Sequence, residues 1–419
     1  MLEGNSTKIL LDAGVKLGKQ VEYPLIPDRD LESVDAVVVS HAHLDHSGYL
    51  AHIYSTGYSG FTYTTKPTFE LTNVLISDYI GISNPTNITK DGVLRMQRHH
   101  KLVEFHEQFH IKGLSLRLIP AGHILGSAMI EVYDGKNRLL YTGDVNLRTT
   151  KILDAAPSEN LKVDTLITES TYAGDKDEFQ SEKKTLDQMI ASINDTITRG
   201  GKVMIPSFAV GRAQEVLLML DDYMKSGRLQ KVPIYMDGMI GKSMKIHRHN
   251  VVYCRDELQK RILMNDDDPF KSVNFTEVKT KQERAKVIDN SESSIIVSTS
   301  GMLSGGPILK YIDALAGDDK NKLLMVGYQA EGTLGREILS GSKRVRIGRR
   351  EVDLMMDVQL HHLSAHADRR QLMQFISKLH ELKNICIVHG EANKGTEFYN
   401  ALKKDYKAYL PELKEEVTI

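Results

Sequence analysis

The sequence predicts an α/β fold: an αββα sandwich interrupted by a second, parallel α/β domain. In the first 170 residues, strand-like apolar runs end in histidine or acidic residues. Strands and helices then alternate, and another strand ending in histidine appears near residue 389. Alternation of this kind is typical of parallel α/β domains. We therefore expect a first domain over 1–174, an inserted domain over 175–360 and a return to the first domain over 361–419.

The composition is ordinary for a globular protein and limits the function classes. The chain has 419 residues, 26% of them charged, with a formal net charge of −1. It is long enough for two or three domains. Because the net charge is near zero, any site for a polyanion must be a local patch. The two cysteines, Cys254 and Cys386, lie far apart, which excludes a cysteine zinc site and a disulfide framework and suits a reducing cytosol.

The N-terminal segment and the hydropathy indicate a cytoplasmic protein. Residues 1–8 show no charged leader followed by an apolar stretch, as a signal peptide would require. No apolar run approaches 18 residues, so we expect no membrane span and no membrane partner.

The stretch His41-Ala42-His43-Leu44-Asp45-His46 is the strongest functional signal. It follows the buried strand predicted over 34–39 and precedes a turn or helix. Imidazole suits zinc, and the carboxylate can serve a second metal. The alternative is a polar turn with surface histidines, but the pattern should arise by chance only about 10⁻³ times in such a chain. The stretch therefore indicates a metal site.

Further ligand-type residues follow other predicted strands. The strand predicted over 8–14 ends in Asp12 and Gly14, His123 follows the strand of 114–119, and the strand of 138–144 ends in Gly143 and Asp144. Strand-end loops gather along one edge of a layered sandwich, so these residues should converge. Asp12 has two readings: a turn former, or a carboxylate that orients a metal-bound histidine.

The remaining strands and helices can be placed in order. Glu169 follows the strand predicted over 164–168, and His389 ends the strand of 384–388. His366 precedes a helix predicted over 369–382. The other predicted elements are strands at 201–207, 232–237, 294–298 and 322–327 and helices at about 184–199, 211–220 and 396–404.

Together these motifs resemble the β-CASP branch of the metallo-β-lactamase-fold nucleases. Most similar are the archaeal and bacterial ribonucleases related to the nuclease subunit of the cleavage and polyadenylation specificity factor. Asp12 matches the first family motif, His41–His46 the second, His123 the third and Asp144 the fourth. The β-CASP motifs A, B and C are matched by Glu169, His366 and His389. Members open with one or two further strands before Asp12, so we expect one strand fewer in the first sheet here.

The resemblance implies a two-metal hydrolase. It implies two zinc ions, with manganese as the alternative: His41, His43 and His123 would hold one ion, Asp45, His46 and His389 the other, and Asp144 would bridge them. His366 would protonate the leaving oxygen, with Glu169 holding its other nitrogen. Asp12 and Asp45 complete the catalytic set. The products would be a 5′-phosphate and a 3′-hydroxyl.

A histidine in motif C is what RNA-acting members carry, so His389 favours single-stranded RNA as the partner. We expect an endonuclease of RNA processing, 3′-end formation or decay, with 5′→3′ exonuclease activity as an addition. A homodimer is plausible by resemblance alone. RNA-processing or exosome-type partners are not identified by the sequence.

Several loops of the inserted domain could contact RNA phosphates. They follow strands, precede helices and offer backbone N–H groups and hydroxyls, although such loops are common in α/β domains. The candidate residues are Ser207, Gly211, Arg212, Ser298, Ser300, Gly301 and Arg336.

Two other functions compete with a ribonuclease. A small-molecule hydrolase of the thioesterase or lactamase type shares the His41–His46 motif, but the inserted domain and motifs A and B argue against it. A non-catalytic scaffold would have lost ligands, whereas here every ligand position is filled.

Overall fold

The computed structural model describes residues 1–16 and 21–418. The chain forms two compact units, one comprising Met1–Glu178 with Ala365–Ile419 and the other Phe179–Ser364. The corresponding boundaries predicted from the sequence are 174/175 and 360/361.

The first unit is built from twelve strands and seven helices within the described residues. Its strands are β1 (Leu2–Gly4), β2 (Thr7–Leu11), β3 (Ala36–Val38), β4 (Phe61–Thr64), β5 (His100–Leu102), β6 (Gln108–Ile111), β7 (Leu114–Pro120), β8 (Ala128–Tyr133), β9 (Arg138–Tyr141), β10 (Thr165–Thr168), and, after the second unit, β19 (Asn384–Ile387) and β20 (Lys407–Tyr409). Its helices are α1 (Asp28–Leu31), α2 (Leu44–Ser47), α3 (Leu50–Ser55), α4 (Lys66–Ser83), α5 (Lys90–Arg98), α13 (Arg369–Ser377) and α14 (Ala392–Leu402).

Two sheets form the centre of the first unit. One has the order β1-β2-β3-β4-β5 and the other β20-β19-β10-β9-β8-β7-β6. Apolar side chains from both, such as Val38 and Leu118, form the core between them. Helices α3, α4 and α5 share a core with the first sheet, and α13 and α14 share one with the second. The αββα sandwich predicted from the sequence is confirmed.

The second unit is a parallel α/β domain. Its strands are β11 (Val203–Pro206), β12 (Ile234–Asp237), β13 (Phe275–Val278), β14 (Ile295–Ser298), β15 (Lys322–Met325), β16 (Arg344–Ile347), β17 (Arg350–Asp353) and β18 (Asp357–Leu360). Its helices are α6 (Glu182–Thr198), α7 (Arg212–Lys225), α8 (Ile240–His249), α9 (Asp256–Leu263), α10 (Lys281–Asp289), α11 (Ile308–Leu315) and α12 (Leu334–Leu339). Six strands pair in parallel in the order β13-β12-β14-β11-β15-β18, and β16 and β17 form a separate antiparallel hairpin. The inserted parallel domain is also as predicted.

Helix α13 is shorter than the sequence indicated. It ends at Ser377 rather than at 382, although no glycine or proline stops it there. The backbone of His380 instead pairs with the segment before β10, donating its N–H to Leu161 O at 2.9 Å. A tertiary pairing therefore terminates the helix, and a local pattern cannot reveal it.

Among the described residues, no helix is both long enough and apolar enough to cross a bilayer.

Candidate metal centre

Apart from His366, the candidate residues of the first unit follow the C-terminal ends of strands that run in one direction within each sheet. The strands and the residues after them are β2 and Asp12, β3 and His41, β7 and His123, β9 and Asp144, β10 and Glu169, and β19 and His389. Such ends meet at one edge of a sheet, which is why residues from distant parts of the sequence come together here.

The loop after β2 packs tightly against helix α2, which carries Asp45 and His46. The N–H of Ala13 donates to His46 O at 2.7 Å. A Cβ at Gly14 would lie 1.6 Å from the carbonyl oxygen of Asp45, so only glycine allows this approach. The contact fixes α2 relative to Asp12.

Four side chains converge in a first ligand group: His41, His43, His123 and Asp144. His43 Nδ1 lies 3.2 Å from His41 Nε2 and 3.1 Å from His123 Nε2. Asp144 Oδ2 lies 3.5 Å from both of those Nε2 atoms. Tetrahedral zinc with nitrogen ligands at 2.0–2.1 Å would hold its ligand atoms about 3.3–3.4 Å apart. The donor atoms therefore have the spacing that such an ion requires.

Asp45, His46 and His389 form a second group beside the first. His46 Nε2 lies 3.2 Å from His389 Nε2 and 3.3 Å from Asp144 Oδ1. Asp45 Oδ2 lies 3.5 Å from His389 Nε2. The Asp144 carboxylate thus faces the first group with one oxygen and the second with the other.

The donor set fits metal ions for a further reason. Asp144 Oδ1 is buried and has no hydrogen-bond partner, and leaving a buried carboxylate oxygen unpaired is costly. Burial lowers the pKa of both His41 and His123 well below its usual value, and the nearby histidines act in the same direction. These imidazoles are consequently neutral at pH 7, which is the form that binds a metal.

Hydrogen bonds fix the ring nitrogens that face away from the ligand groups. Asp12 Oδ2 accepts from His46 Nδ1 at 2.6 Å, from Ser40 Oγ at 2.7 Å and from the Tyr141 hydroxyl at 2.7 Å. Since the Ser40 hydroxyl donates to Asp12, His41 Nδ1 at 3.0 Å must donate to Ser40. His41 then presents Nε2 as a lone pair. Burial alone would lower the pKa of His46, but the carboxylates of Asp144 and Asp12 raise that pKa well above its usual value, so a metal ion must displace a proton from His46 Nε2. Of the two readings of Asp12, these contacts support the orienting carboxylate.

His123 is oriented by the backbone. Its Nδ1 donates to Ala365 O at 2.9 Å, which again leaves Nε2 for the ligand group. Ser40, Tyr141 and Ala365 were not identified from the sequence. A serine immediately before the first histidine was the only local signal, and the other two contacts join distant segments.

His366 and Glu169 form a pair next to the ligand groups. His366 Nδ1 lies 2.9 Å from Glu169 Oε2, and Glu169 Oε1 accepts from the N–H of Val145 at 2.8 Å. Burial alone would lower the pKa of His366, but the carboxylates of Glu169 and Asp144 outweigh it and raise that pKa above its usual value. The pair therefore favours a protonated imidazole.

The loop residues considered for phosphate contacts all lie in the second unit. Ser207, Gly211, Arg212, Ser298 and Gly301 are buried, Ser300 is partly exposed and Arg336 is exposed. The hydroxyls of Ser207 and Ser298 are buried without a hydrogen-bond partner.

Three family models match the chain. The metallo-beta-lactamase superfamily domain matches residues 1–171, the Beta-Casp domain 213–338 and the Zn-dependent metallo-hydrolase RNA specificity domain 351–411.

Curated relatives match over almost the whole chain. Proteins named transcription termination factor FttA, from Methanothermobacter thermautotrophicus and Methanocaldococcus jannaschii, are each 36% identical to it over 97% of its length. One from Lokiarchaeum sp. is also 36% identical. The chain covers 67% of the length of each of these relatives.

Proposed function

The chain belongs to the β-CASP family of metallo-β-lactamase-fold hydrolases, and on this premise we propose that it is a two-metal ribonuclease cleaving single-stranded RNA. The observation that carries the proposal is the Asp144 carboxylate, which faces one ligand group with each oxygen, next to the His366–Glu169 pair. Such an arrangement suits in-line displacement at phosphorus, in which both the attacking and the leaving oxygen need stabilisation.

We infer two zinc ions, with manganese as the alternative. His41, His43 and His123 would hold one ion, Asp45, His46 and His389 the other, and Asp144 both. Two divalent ions held by these residues would supply Lewis-acid polarisation of a phosphoryl oxygen and a water-derived nucleophile at neutral pH. The nitrogen-rich donor set favours zinc over magnesium or calcium.

The protein's own residues supply orientation and a proton. Asp12 holds His46 directly and His41 through Ser40, so both rings keep the tautomer that binds metal. Glu169 binds His366 Nδ1 and stabilises the imidazolium. The other ring nitrogen, Nε2, then protonates the leaving O3′, giving a 3′-hydroxyl and a 5′-phosphate.

The match to an RNA specificity domain over 351–411 supports RNA rather than a thioester or lactam as substrate. Relatives named transcription termination factors suggest nascent transcripts and 3′-end formation as the cellular setting. We infer endonucleolytic cleavage, with 5′→3′ trimming as an added activity, and a homodimer.

We infer phosphate contacts at two places in the second unit. Gly211 and Arg212 lie at the N-terminus of the 14-residue helix α7, where backbone N–H groups attract anions. The exposed Arg336 and the partly exposed Ser300 are the members that RNA could reach without a structural change.

Cleavage of matched 5′-triphosphate and 5′-monophosphate RNAs tests the function. We expect internal cuts in both, lost in His366→Ala with bound metal retained and kept in the control His110→Ala, an exposed histidine of β6. Mononucleotide release from the monophosphate RNA alone would make the enzyme a 5′ exonuclease. Faster turnover of thioesters than of RNA, or absence of cleavage with two ions bound, would contradict the proposal. Light scattering at several protein concentrations tests the dimer.

A further inference from the structure

The outer face of the seven-stranded sheet is apolar at one end of β7 and β8 and polar farther along these strands. Side chains two residues apart share a face of a strand. At one end of this face, Ile119 and Met129 belong to the core shared with α13 and α14. Farther along the same face stand Arg117 and Glu131, a cross-strand pair. The apolar cover therefore ends partway along the strands, and a polar groove follows it.

This groove has a volume of about 450 Å³, within the range of ligand-binding pockets. Its lining is rich in hydrogen-bond donors and includes Gln108, Arg117, Glu131, Tyr133, Arg138 and Lys162. The lining holds three arginine or lysine residues and one acidic residue and so carries a charge of +2, whereas the whole chain carries −1.

The two arginines are held in place in different ways. Arg117 binds the buried Glu131 carboxylate through Nε at 3.0 Å and Nη2 at 2.8 Å. Arg138 lies over the Tyr133 ring, 4.4 Å from its centroid, and its Nη1 is 3.8 Å from Glu131 Oε2. That separation is too long for a hydrogen bond. Stacking thus orients the Arg138 guanidinium while leaving its N–H donors available.

Lys162 adds a third cation at the rim. It pairs with Glu381 at 3.1 Å, and both side chains are well exposed. An exposed pair of this kind contributes little, so an incoming anion can replace Glu381 as its partner.

The groove and the metal centre lie toward opposite ends of the strands. Arg138 is the first residue of β9, and Lys162 comes shortly before β10. The candidate ligand Asp144 and its neighbour Glu169 follow the far ends of the same two strands. Seven residues of β7 span about 20 Å at 3.3 Å per residue. A single phosphate therefore cannot occupy both places, but a longer strand can.

We propose that this groove binds backbone phosphates of single-stranded RNA several nucleotides from the cut. The inference rests on the proposed ribonuclease function. Guanidinium groups match phosphate oxygens, and an arginine plane stacked on tyrosine offers a surface to an unpaired base. Glu131 does not abolish the positive charge; it orients Arg117.

The test compares two variants that each remove two positive charges. Arg138→Ala/Lys162→Ala alters the groove and keeps the Arg117–Glu131 pair, so no buried carboxylate loses its partner. Arg95→Ala/Arg98→Ala alters exposed residues of α5. Both are made in the His366→Ala background, and binding of labelled RNAs of about 6 and about 30 nucleotides, which bracket common single-strand site sizes, is followed by fluorescence anisotropy.

For the groove variant we expect the Kd of the long RNA to rise about tenfold and the slope of log K against log salt to fall by about 1.4 in magnitude. The Kd of the short RNA and the binding by the α5 variant should stay unchanged. Equal weakening in both variants, or none in the groove variant, would overturn the proposal. Selective loss of affinity for a polyglutamate peptide would instead make the groove a protein-binding surface. Because binding is read separately from cleavage, long-RNA binding without cleavage by the unmodified enzyme would reject the ribonuclease and not the groove.

Discussion

Asp12 Oδ2 accepts a hydrogen bond from His46 Nδ1 at 2.6 Å. This bond determines which nitrogen of the His46 ring faces the second ligand group. The same oxygen accepts from Ser40 and Tyr141, and Asp12 adopts a left-handed backbone, with φ of 64°. Non-glycine residues rarely occupy that region without compensating contacts. One carboxylate thus controls two histidines on a loop held in an uncommon conformation.

Asp12→Asn should weaken metal binding and leave the ligands themselves intact. An amide cannot accept all the hydrogen bonds that the carboxylate accepts, so His46 and His41 lose their fixed tautomers. We expect affinity for zinc to fall about 10–100-fold, measured by competition with a chromophoric chelator. Asp91→Asn, on the exposed surface of α5, is the control. Unchanged affinity in Asp12→Asn would show that orientation is not its role.

Asp45 and Asp144 should differ in how many ions they control. Asp45 belongs to the second ligand group only, whereas Asp144 faces both. We expect Asp45→Asn to retain about one ion per chain and Asp144→Asn to lose most of both, against about two in the unmodified protein. Elemental analysis after gel filtration measures this. Equal losses in the two variants would contradict a bridging Asp144.

Glu169→Gln should slow catalysis without releasing metal. Glu169 Oε1 accepts from the N–H of Val145, and Glu169 Oε2 accepts from His366 Nδ1. Glutamine has nearly the same shape as glutamate but lacks the charge that stabilises the imidazolium. We expect kcat for RNA cleavage to fall about 100-fold, the lower end for loss of general acid catalysis, with metal content unchanged. Loss of an ion in this variant would make Glu169 a ligand.

Gly143→Ala should disturb the metal centre more than Gly135→Ala, a substitution at another glycine with a positive φ. A Cβ at Gly143 would lie 2.6 Å from Ser40 Oγ, whereas at Gly135 nothing lies within 4 Å. Both positions have a positive φ, so Gly135→Ala carries the backbone strain of about 1–3 kcal/mol without the contact. We expect zinc affinity to fall only in Gly143→Ala. Similar zinc affinities in the two variants would show that displacing Ser40 does not affect metal binding.

The buried histidine His247 should make the protein less stable in acid. Burial lowers the pKa of His247 to about 4, although a hydrogen bond from Nδ1 to Ser243 O opposes the shift. His247 takes up a proton near pH 6.5 in the unfolded chain but only at about pH 4 in the folded one. The free energy of unfolding therefore loses nothing through His247 above pH 6.5 and decreases as the pH falls from 6.5 to 4. A shift of this size corresponds to about 3 kcal/mol in total and about 2 kcal/mol by pH 5.

Denaturant unfolding at pH 7 and pH 5 checks this. His247→Gln should lose less free energy of unfolding between the two pH values than the unmodified protein does. The exposed His249 on the same helix supplies the control His249→Gln. An identical pH response in His247→Gln and the unmodified protein would be the contrary result.

The sequence predicted the two-part fold because each part repeats a local pattern. Strands such as β7 and β9 begin at the predicted residues, since alternating or continuous apolar runs are read directly from neighbours. The candidate ligands were predicted because histidines and carboxylates at strand ends meet at a sheet edge.

What was missed depends on contacts between distant segments. Tyr141 donates to Asp12 across 129 residues, and His123 to Ala365 across 242. The end of α13 is set by pairing with Leu161 rather than by its own residues. The basic groove was also missed, because its arginines come from different strands and Glu131 joins them only in the fold.

Strand β19 lies in the interior of the seven-stranded sheet, between β10 and β20, and Asn384 contacts Thr165 across 219 residues of chain. During synthesis, β10 leaves the ribosome long before β19 can pair with it, and the whole second unit is made in between. His366 and His389 are made after the second unit. A chain truncated before His366 therefore carries His41–His46 without the residues that complete the centre, so the centre can form only after the second unit has been synthesised.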